Sequence, residues 1–435
     1  MTPHHGVHEP GFRQVLAVRE FRVLWLVSIQ SLLGDQIARV ALAVLVFDRT
    51  RSGLATATVY ALTFLPAVAG NVLLGPLTDR LPRRSVLVAG DLVRAGLLAA
   101  MAVPTLPLGL LAALLVVAVI VGAPWGAAES ALVADILPNA DYPIGLGLRS
   151  ATNQSAQLVG FAVGGAGVAV LGAHVALAVD AATFAVSALA IRTRLDQRPT
   201  PSSTTPARDA DNGTAQTGTT APTAQRGRTP RSPNGWLDGA RSVLGDPKLR
   251  LLLSFSWILG LIVVPEGLAA PYAAELHTGP TAIGALLAAG PAGVLLGTLA
   301  YTRLLTAPTR ARFLGPFATA TGIPLILCAT HPGLVLVCGL FALAGAFTGY
   351  QIQVVTEFVT LIPAQLRGQG IALASAGLLA AQGLGLLTAG LLTQLLTPSL
   401  TIATAGATAT SLSATLTLRR TRQHRRDGHT VRTST

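Results

Sequence analysis

The sequence predicts an all-α membrane protein of twelve transmembrane helices, arranged as two pseudo-symmetric six-helix bundles. Its apolar segments, the distribution of its cations and an internal repeat carry that prediction. Of the 435 residues, 51% are hydrophobic and 11% are charged. A soluble domain carries about 25% charge, so most of this chain belongs in lipid. A helix needs about 20 mostly apolar residues to cross the hydrocarbon core. Twelve segments supply them, near 22–47, 54–77, 84–103, 106–130, 149–172, 174–193, 249–272, 279–303, 311–329, 333–357, 368–395 and 398–418. Turn signals separate most of them: Arg51-Ser52-Gly53, Pro82, Pro104 and Pro107, Gly172, Gly279-Pro280, His331-Pro332-Gly333 and Pro398.

The cations set the orientation. With both termini cytoplasmic, 26 of the 31 Lys and Arg residues fall on the inside, and the outer loops hold Arg49 and Arg51. Arg39, Arg94 and Arg149 lie in or at the edge of spans. This is the positive-inside pattern of a plasma-membrane protein. The net charge of +12 therefore points to membrane lipid rather than to nucleic acid. No cleavable signal is expected, because residues 1–20 are hydrophilic and the first apolar run is too long.

Residues 195–235 are rich in Thr, Pro, Ala and Arg without apolar periodicity, and read as a disordered cytoplasmic linker. The linker divides a bundle at 1–194 from a second at 236–418, and a basic cytoplasmic tail follows at 419–435. Gly235-Trp236-Leu237 and the stretch Phe12 to Glu20 open short amphipathic segments before spans 7 and 1. The two bundles resemble each other. Val72-Leu73-Leu74-Gly75 recurs as Val294-Leu295-Leu296-Gly297, and Pro138 to Gly165 aligns without gaps on Pro363 to Gly390. The identities include Gly145/Gly370, Ser150/Ser375, Gln157/Gln382, Gly160/Gly385 and Gly165/Gly390.

Between spans 2 and 3 the chain reads Gly75-Pro76-Leu77-Thr78-Asp79-Arg80-Leu81-Pro82-Arg83-Arg84. This pattern, G-x-L-x-D-R-x-x-R-R, resembles the signature loop of major facilitator superfamily transporters. The resemblance covers the chain apart from its tails and linker, and implies the major facilitator fold and alternating access. Spans 1, 4, 7 and 10 would then line a central cavity. In that family the loop stabilises the outward-facing state. Gly75 is expected to admit a neighbouring helix, and Asp79 to face the N-terminus of span 11 near Gly368. Arg80, Arg83 and Arg84 are expected to reach the headgroups. Asp79 aligns with Tyr301 in the second half, so the repeat lacks a second acid.

Gly34-Asp35-Gln36 resembles the first helix of the siderophore and macrolide exporters among bacterial drug–proton antiporters. Gly160-Phe161-Ala162-Val163-Gly164-Gly165 resembles the glycine-rich fifth helix of antiporter branches, with Phe161 in place of proline. Residues 106–126 carry no charge, so the fourth-span arginine of many drug antiporters is missing.

A charge inside the bilayer costs about 2.5–3.5 kcal/mol on insertion scales, so each one needs a reason. Asp35 and Arg39 lie one turn apart in span 1. Asp35 is either a proton carrier or half of a fixed ion pair with Arg39. Glu266, within Val263-Val264-Pro265-Glu266-Gly267, is a second proton or substrate-cation candidate beside a helix break. Asp180 is a further acid in span 6. Asp91 and Arg94 form an i, i+3 pair and join Glu129, Glu357 and Arg367 as gate-network candidates. Gln30, Gln351 and Gln353 are polar candidates for the cavity.

Cys328 and Cys338 read as buried apolar residues, and the histidines as tail and loop polarity. P-loop, HExxH and Cys-x-x-Cys patterns are absent. The expected protein is a monomeric transporter, not an enzyme, with no metal or cofactor beyond a proton gradient. It is expected to be a proton-coupled exporter of hydrophobic or amphipathic small molecules, such as an antibiotic, drug or siderophore. The alternatives are an importer or facilitator of a small organic solute, and a transporter-like receptor or scaffold.

Overall fold

The structure, a computed structural model, describes residues 12–137, 141–198 and 235–433. The greater part of the linker lies outside these residues. Within them the secondary structure is helical, with no strand. Twelve long helices form the bundle. The first half comprises α1 (Arg19–Thr50), α2 (Gly53–Leu74), α3 (Arg83–Met101), α4 (Leu108–Ile136), α5 (Tyr142–Leu171) and α6 (Ala173–Arg194). The second comprises α7 (247–275), α8 (Pro280–Leu304), α9 (Ala307–Thr330), α10 (Leu334–Leu361), α11 (Arg367–Leu392) and α12 (Pro398–Thr433). Ten of the twelve are long and apolar enough to span a membrane. The other two are α3, which carries Arg83, Arg84, Asp91 and Arg94, and α12, which is rich in Thr and Ser. Their place in the bundle makes up for what their composition lacks. The basic segment after residue 418 continues α12 as helix.

The helix ends follow local chemistry. Arg51 takes a left-handed conformation (φ 52°) and ends α1, with its N–H bonded to Phe47 O. Ser52 then caps α2 by accepting from the Ala55 N–H. Asp246 caps α7 by accepting from the N–H groups of Lys248 and Leu249. Several spans are broken. In α2 the break falls at Leu62–Phe64, ahead of Pro66, and in α4 at Ala123 and Pro124. α7 consists of four pieces, Pro247–Trp257, Leu259–Ile262, Val264–Gly267 and Ala269–Glu275. Pro265 lacks the N–H that would continue the ladder, which leaves Glu266 in one of the short pieces.

The repeat in the sequence is a repeat in space. A methyl group placed on Gly145 would meet Leu137, and one on Gly370 would meet Ile362, at the matching position. Gly160 of α5 packs on α1 at Gln36, and Gly385 of α11 packs on α7 at Gly260. The same two-helix contact is thus built twice.

The signature loop lies at one end of the bundle, here the loop end. The halves meet closely towards the opposite, far end. There α5 crosses α8 at Gly165 and Gly284, and a methyl group on either would collide with the other's Cα. α2 meets α11 where Gly390 faces Leu54 and Ala57, and where Gly53 faces Thr393. Small residues allow this approach. At the loop end, Arg83–Asp135, Arg149–Glu129, Glu20–Arg198 and Arg420–Glu357 each join segments of a single half. The protein is therefore closed at the far end.

Gly284→Leu is expected to force α5 and α8 apart, at a cost of about 1–3 kcal/mol for overpacking. A lower melting temperature of the purified protein, with greater reagent access to a thiol placed at the far end, would show it. An unchanged melt and unchanged access would mean that this contact does not hold the closed end.

Candidate functional site: two cavities

A cavity of about 610 Å³ lies inside the second half near the loop end, between Arg312, Glu357 and Arg420; of the two deeper cavities, the larger, about 430 Å³, lies between the halves. It runs from beneath the α5–α8 contact to Gln154 and Thr298, towards the loop end. Its walls are mostly Leu, Ile, Val, Phe and Pro from α7, α8 and α10, with Gln154, Gln157, Gln351 and Gln382 among them. Glu266 is the one charged residue among the lining residues described. Its Oε2 accepts from the hydroxyl of Tyr60 at 2.8 Å, a bond from α2 to α7 across the two halves.

The second cavity, about 260 Å³, lies inside the first half. Asp35, Arg39, Arg94 and Asp180 line it, with Ser28, Ser31 and Thr63. Asp35 Oδ1 accepts from Arg94 Nη2 at 2.5 Å. The Arg94 guanidinium also lies 3.9 Å from the centroid of the Phe184 ring, which supplies a cation–π contact in place of water. Arg39 turns elsewhere. Its Nη1 donates to Gln36 Oε1 at 3.4 Å, and its guanidinium lies 5.2 Å from the Phe64 ring centroid. Phe64 neighbours Tyr60, at 6.0 Å between ring centroids. Arg39 thus stands between the Asp35–Arg94 ion pair in one cavity and the Tyr60–Glu266 bond in the other.

These positions correct several expectations. The ion pair of Asp35 is made with Arg94 on α3, not with Arg39 on its own helix, whose guanidinium bonds Gln36. Asp91 is fully buried and accepts from Ser187 Oγ. The expected single cavity lined by spans 1, 4, 7 and 10 divides. α7 and α10 line the larger space, and α1 and α4 line the smaller one.

Gln351 lines the larger cavity while donating to Phe255 O at 3.2 Å. Gln30 instead donates to Thr183 O at 3.0 Å, and Gln353 to Glu357 Oε1 at 3.0 Å. These bonds hold α1 to α6 and close a turn of α10, so both side chains are occupied outside the cavity.

Near the loop end, Glu129 accepts from Ser28 and pairs with Arg149 at 2.8 Å. Both oxygens of Glu357 accept from Arg420 Nη2, at 2.8 and 3.0 Å. Arg83 binds the Asp135 carboxylate and Ala131 O, and Arg84 binds Arg192 O. These two arginines therefore hold α3 to α4 and α6 rather than reaching outwards, whereas Arg80 is exposed. A methyl group on Gly75 would meet Asn71 O of its own preceding turn, with no neighbouring helix within 4 Å among the described residues. Gly75 thus relieves a local clash rather than admitting another helix. Asp79 falls in the short helix Leu77–Arg80, and its side chain lies outside the described set. Arg367 opens α11.

Sequence reasoning missed Tyr60, Gln154, Gln157 and Gln382 as lining or gating residues. Gln157 and Gln382 did carry a signal, as repeat-related amides inside apolar spans. Tyr60 carried none, because an aromatic in a span reads as core.

Tyr60→Phe removes one hydrogen bond to a carboxylate while keeping the ring, a loss of about 1.5–3 kcal/mol where that partner is charged. The expected result is a shift of about tenfold or more towards a far-end-open state. Reaction of a far-end thiol with a membrane-impermeant reagent measures it, and an unchanged rate would remove this bond from the gate.

The profile of the Major Facilitator Superfamily matches residues 24–265. The multidrug efflux pump Tap of Mycolicibacterium fortuitum is 28% identical over 370 residues, which cover 82% of this chain and 85% of that protein. Two solved structures share the fold at low identity. A POT family transporter in complex with 5-aminolevulinic acid superposes with a TM-score of 0.70 at 12% identity, covering 94% of this chain and 97% of that one. A mutant form of the nucleoside transporter NupG gives a TM-score of 0.69 at 15% identity, covering 92% and 98%. The family match extends over more than half of the chain and the fold extends over nearly all of it, so the protein belongs to the Major Facilitator Superfamily and is a membrane transporter.

Proposed function

We propose that this transporter exports hydrophobic or amphipathic small molecules from the cell in exchange for protons. The observation that carries the reading is the larger cavity, with apolar walls, four glutamine side chains and a single carboxylate. Such a lining offers contact area with few fixed hydrogen-bonding demands. A sugar or nucleoside would need a denser set of donors and acceptors to replace its water shell. The likeness to a multidrug efflux pump over most of both chains supports export.

The loop end would face the cytoplasm, with both termini there, because the cations collect on that side. The closed far end then makes this the inward-facing state, ready to receive substrate from the cytoplasm. Binding would draw the loop ends together, and the far end would open as the Tyr60–Glu266 bond parts. Asp35 and Glu266 are the proton-coupling candidates, with Arg39 placed between them. Exchange would require Glu266 to take its proton from the outer side only after substrate has left, and to release it to the cytoplasm before substrate binds again. The chain would act as a monomer, since its two halves together supply the walls of both cavities, with the proton gradient as its energy source.

The test uses purified protein in liposomes with a pH-sensitive dye inside. Hydrophobic antibiotics and siderophores are expected to drive proton release from the lumen. Asp35→Asn and Glu266→Gln are each expected to reduce that release to the level of empty liposomes, while the protein still melts cooperatively. Substrate movement without protons would indicate a facilitator. Neither movement, from folded protein, would indicate a receptor.

A further inference from the structure

Asp180 of α6 takes no part in the exchange just described. It is 1% exposed. Its Oδ1 accepts from Thr183 Oγ1 at 3.1 Å, while Oδ2 is buried with no hydrogen-bond partner among the described residues. A carboxyl at this depth, with one oxygen unsatisfied and no cation of its own, is costly and needs a reason.

Its seat is shaped for it. A methyl group placed on Gly34 would collide with Asp180 Oδ1 and lie 2.8 Å from Thr183 Oγ1. The glycine immediately before Asp35 therefore leaves the notch in α1 that the Asp180 carboxyl occupies. The two acids line one cavity together with Arg94.

The surrounding charges can be counted. α1 contributes Asp35 and Arg39, and α3 contributes Asp91 and Arg94. α5 also packs on α6, and its single charge, Arg149, is held by Glu129. Arg39 is turned to Gln36 and Phe64, so Arg94 is the cation directed at three carboxyls. If Asp35, Asp91 and Asp180 were all ionised, they would outnumber the two nearby cations, Arg39 and Arg94, by one, and Arg39 is bonded elsewhere. Asp91 is fully buried, is bonded by Ser187, and lines neither cavity. Asp180 lines the smaller cavity, so a proton has a way to it.

We propose that Asp35 and Asp180 form a two-carboxyl proton site, holding one shared proton, with Arg94 paired to whichever of the two is ionised. The inference rests on the proton-coupled reading above and gives that reading a carrier. Two adjacent carboxyls that share one proton titrate as a unit. In the structure Asp35 holds Arg94 and Asp180 is left for the proton. Transfer of the guanidinium to Asp180 would pass the proton to Asp35. The O–H bond on Asp180 breaks and one on Asp35 forms, and no other covalent bond changes. One proton enters from the outer side and one leaves to the cytoplasm, while substrate crosses the other way. Gly34 is a positioning residue, setting the distance between the two carboxyls.

The test treats the full-length protein in liposomes with dicyclohexylcarbodiimide, which modifies protonated carboxyls in apolar surroundings, and maps the adduct by peptide mass spectrometry. The expected result is modification at Asp180 or Asp35, never at both in one molecule. Asp180→Asn, close to isosteric, is expected to abolish labelling at Asp35 as well, since Asp35 then keeps Arg94 permanently. It should also abolish substrate-driven proton release while downhill substrate exchange continues. Gly34→Ala keeps both acids but displaces one, and is expected to lower proton release in protein that still exchanges substrate.

Labelling of Asp35 and wild-type proton release in Asp180→Asn would overturn the proposal. So would labelling at both carboxyls of one molecule, or at neither. Absence of substrate-driven proton release in the wild type would instead sink the transport reading, and the labelling pattern would still decide whether the pair holds a proton.

Discussion

The cost of a charge in hydrocarbon, about 2.5–3.5 kcal/mol on insertion scales, governs where this protein places its acids and arginines. Arg94 is compensated by Asp35 and by the face of Phe184. Arg39 has an amide and the face of Phe64. Glu266 has the hydroxyl of Tyr60. Each compensation ties one helix to another or closes one turn, so the charges determine which helices must lie side by side. A compensation between helices of one half stays inside a single unit, even where Arg94 exchanges one carboxyl partner for another. One between the halves can be made only while those helices stay together. Tyr60–Glu266 is of the second kind, so its strength and the closed far end depend on each other.

The same division appears in the packing. Contacts within a half are duplicated by the repeat, as at Gly145 and Gly370 or Gly160 and Gly385, and behave as rigid-body contacts. Cross-half contacts towards the far end rest on small residues, at Gly165 against Gly284 and at Gly53 and Gly390 between α2 and α11. Interfaces of small residues gain from close van der Waals packing and bury little that would prevent separation. Two rigid halves joined by such an interface form a bistable element, which a change of charge in a cavity can bias.

Much of the fold was legible in the sequence because lipid removes alternatives. A span must be helical and about 20 residues long, so hydropathy alone locates most spans. It falls short at α3, whose charges find partners on neighbouring helices, and at α12, whose hydroxyls mostly bond carbonyls of their own helix one turn back. Arg83 finds Asp135 and Ala131 O, partners that lie about 50 positions away in sequence and give no local signal. The i, i+4 rule favours Asp35 with Arg39, yet the cross-helix partner Arg94 prevails. Both arginines line the cavity, but Arg39 bonds Gln36 on its own helix while Arg94 reaches Asp35. Asp180 was legible as an acid in a span but not as a neighbour of Asp35. That relation depends on the notch at Gly34, which only the crossing of α1 and α6 reveals. Gln157 and Gln382 could have been singled out, because the repeat places an amide at the same depth in both halves.

The central claim is that the two halves move as units about a cavity, opening one end as the other closes. Distances between paired spin labels in lipid test it most directly. One pair would be placed by Gly147→Cys and Leu304→Cys, near the loop ends of α5 and α8, and a second by Val170→Cys and Thr281→Cys, near their far ends. Both would be followed as pH is lowered and substrate is added, with Cys328 and Cys338 replaced. The account predicts a second population in which the loop-end distance shortens while the far-end distance lengthens, and both pairs should report it in the same proportion. A single population under every condition, or two distances that lengthen together, would contradict it.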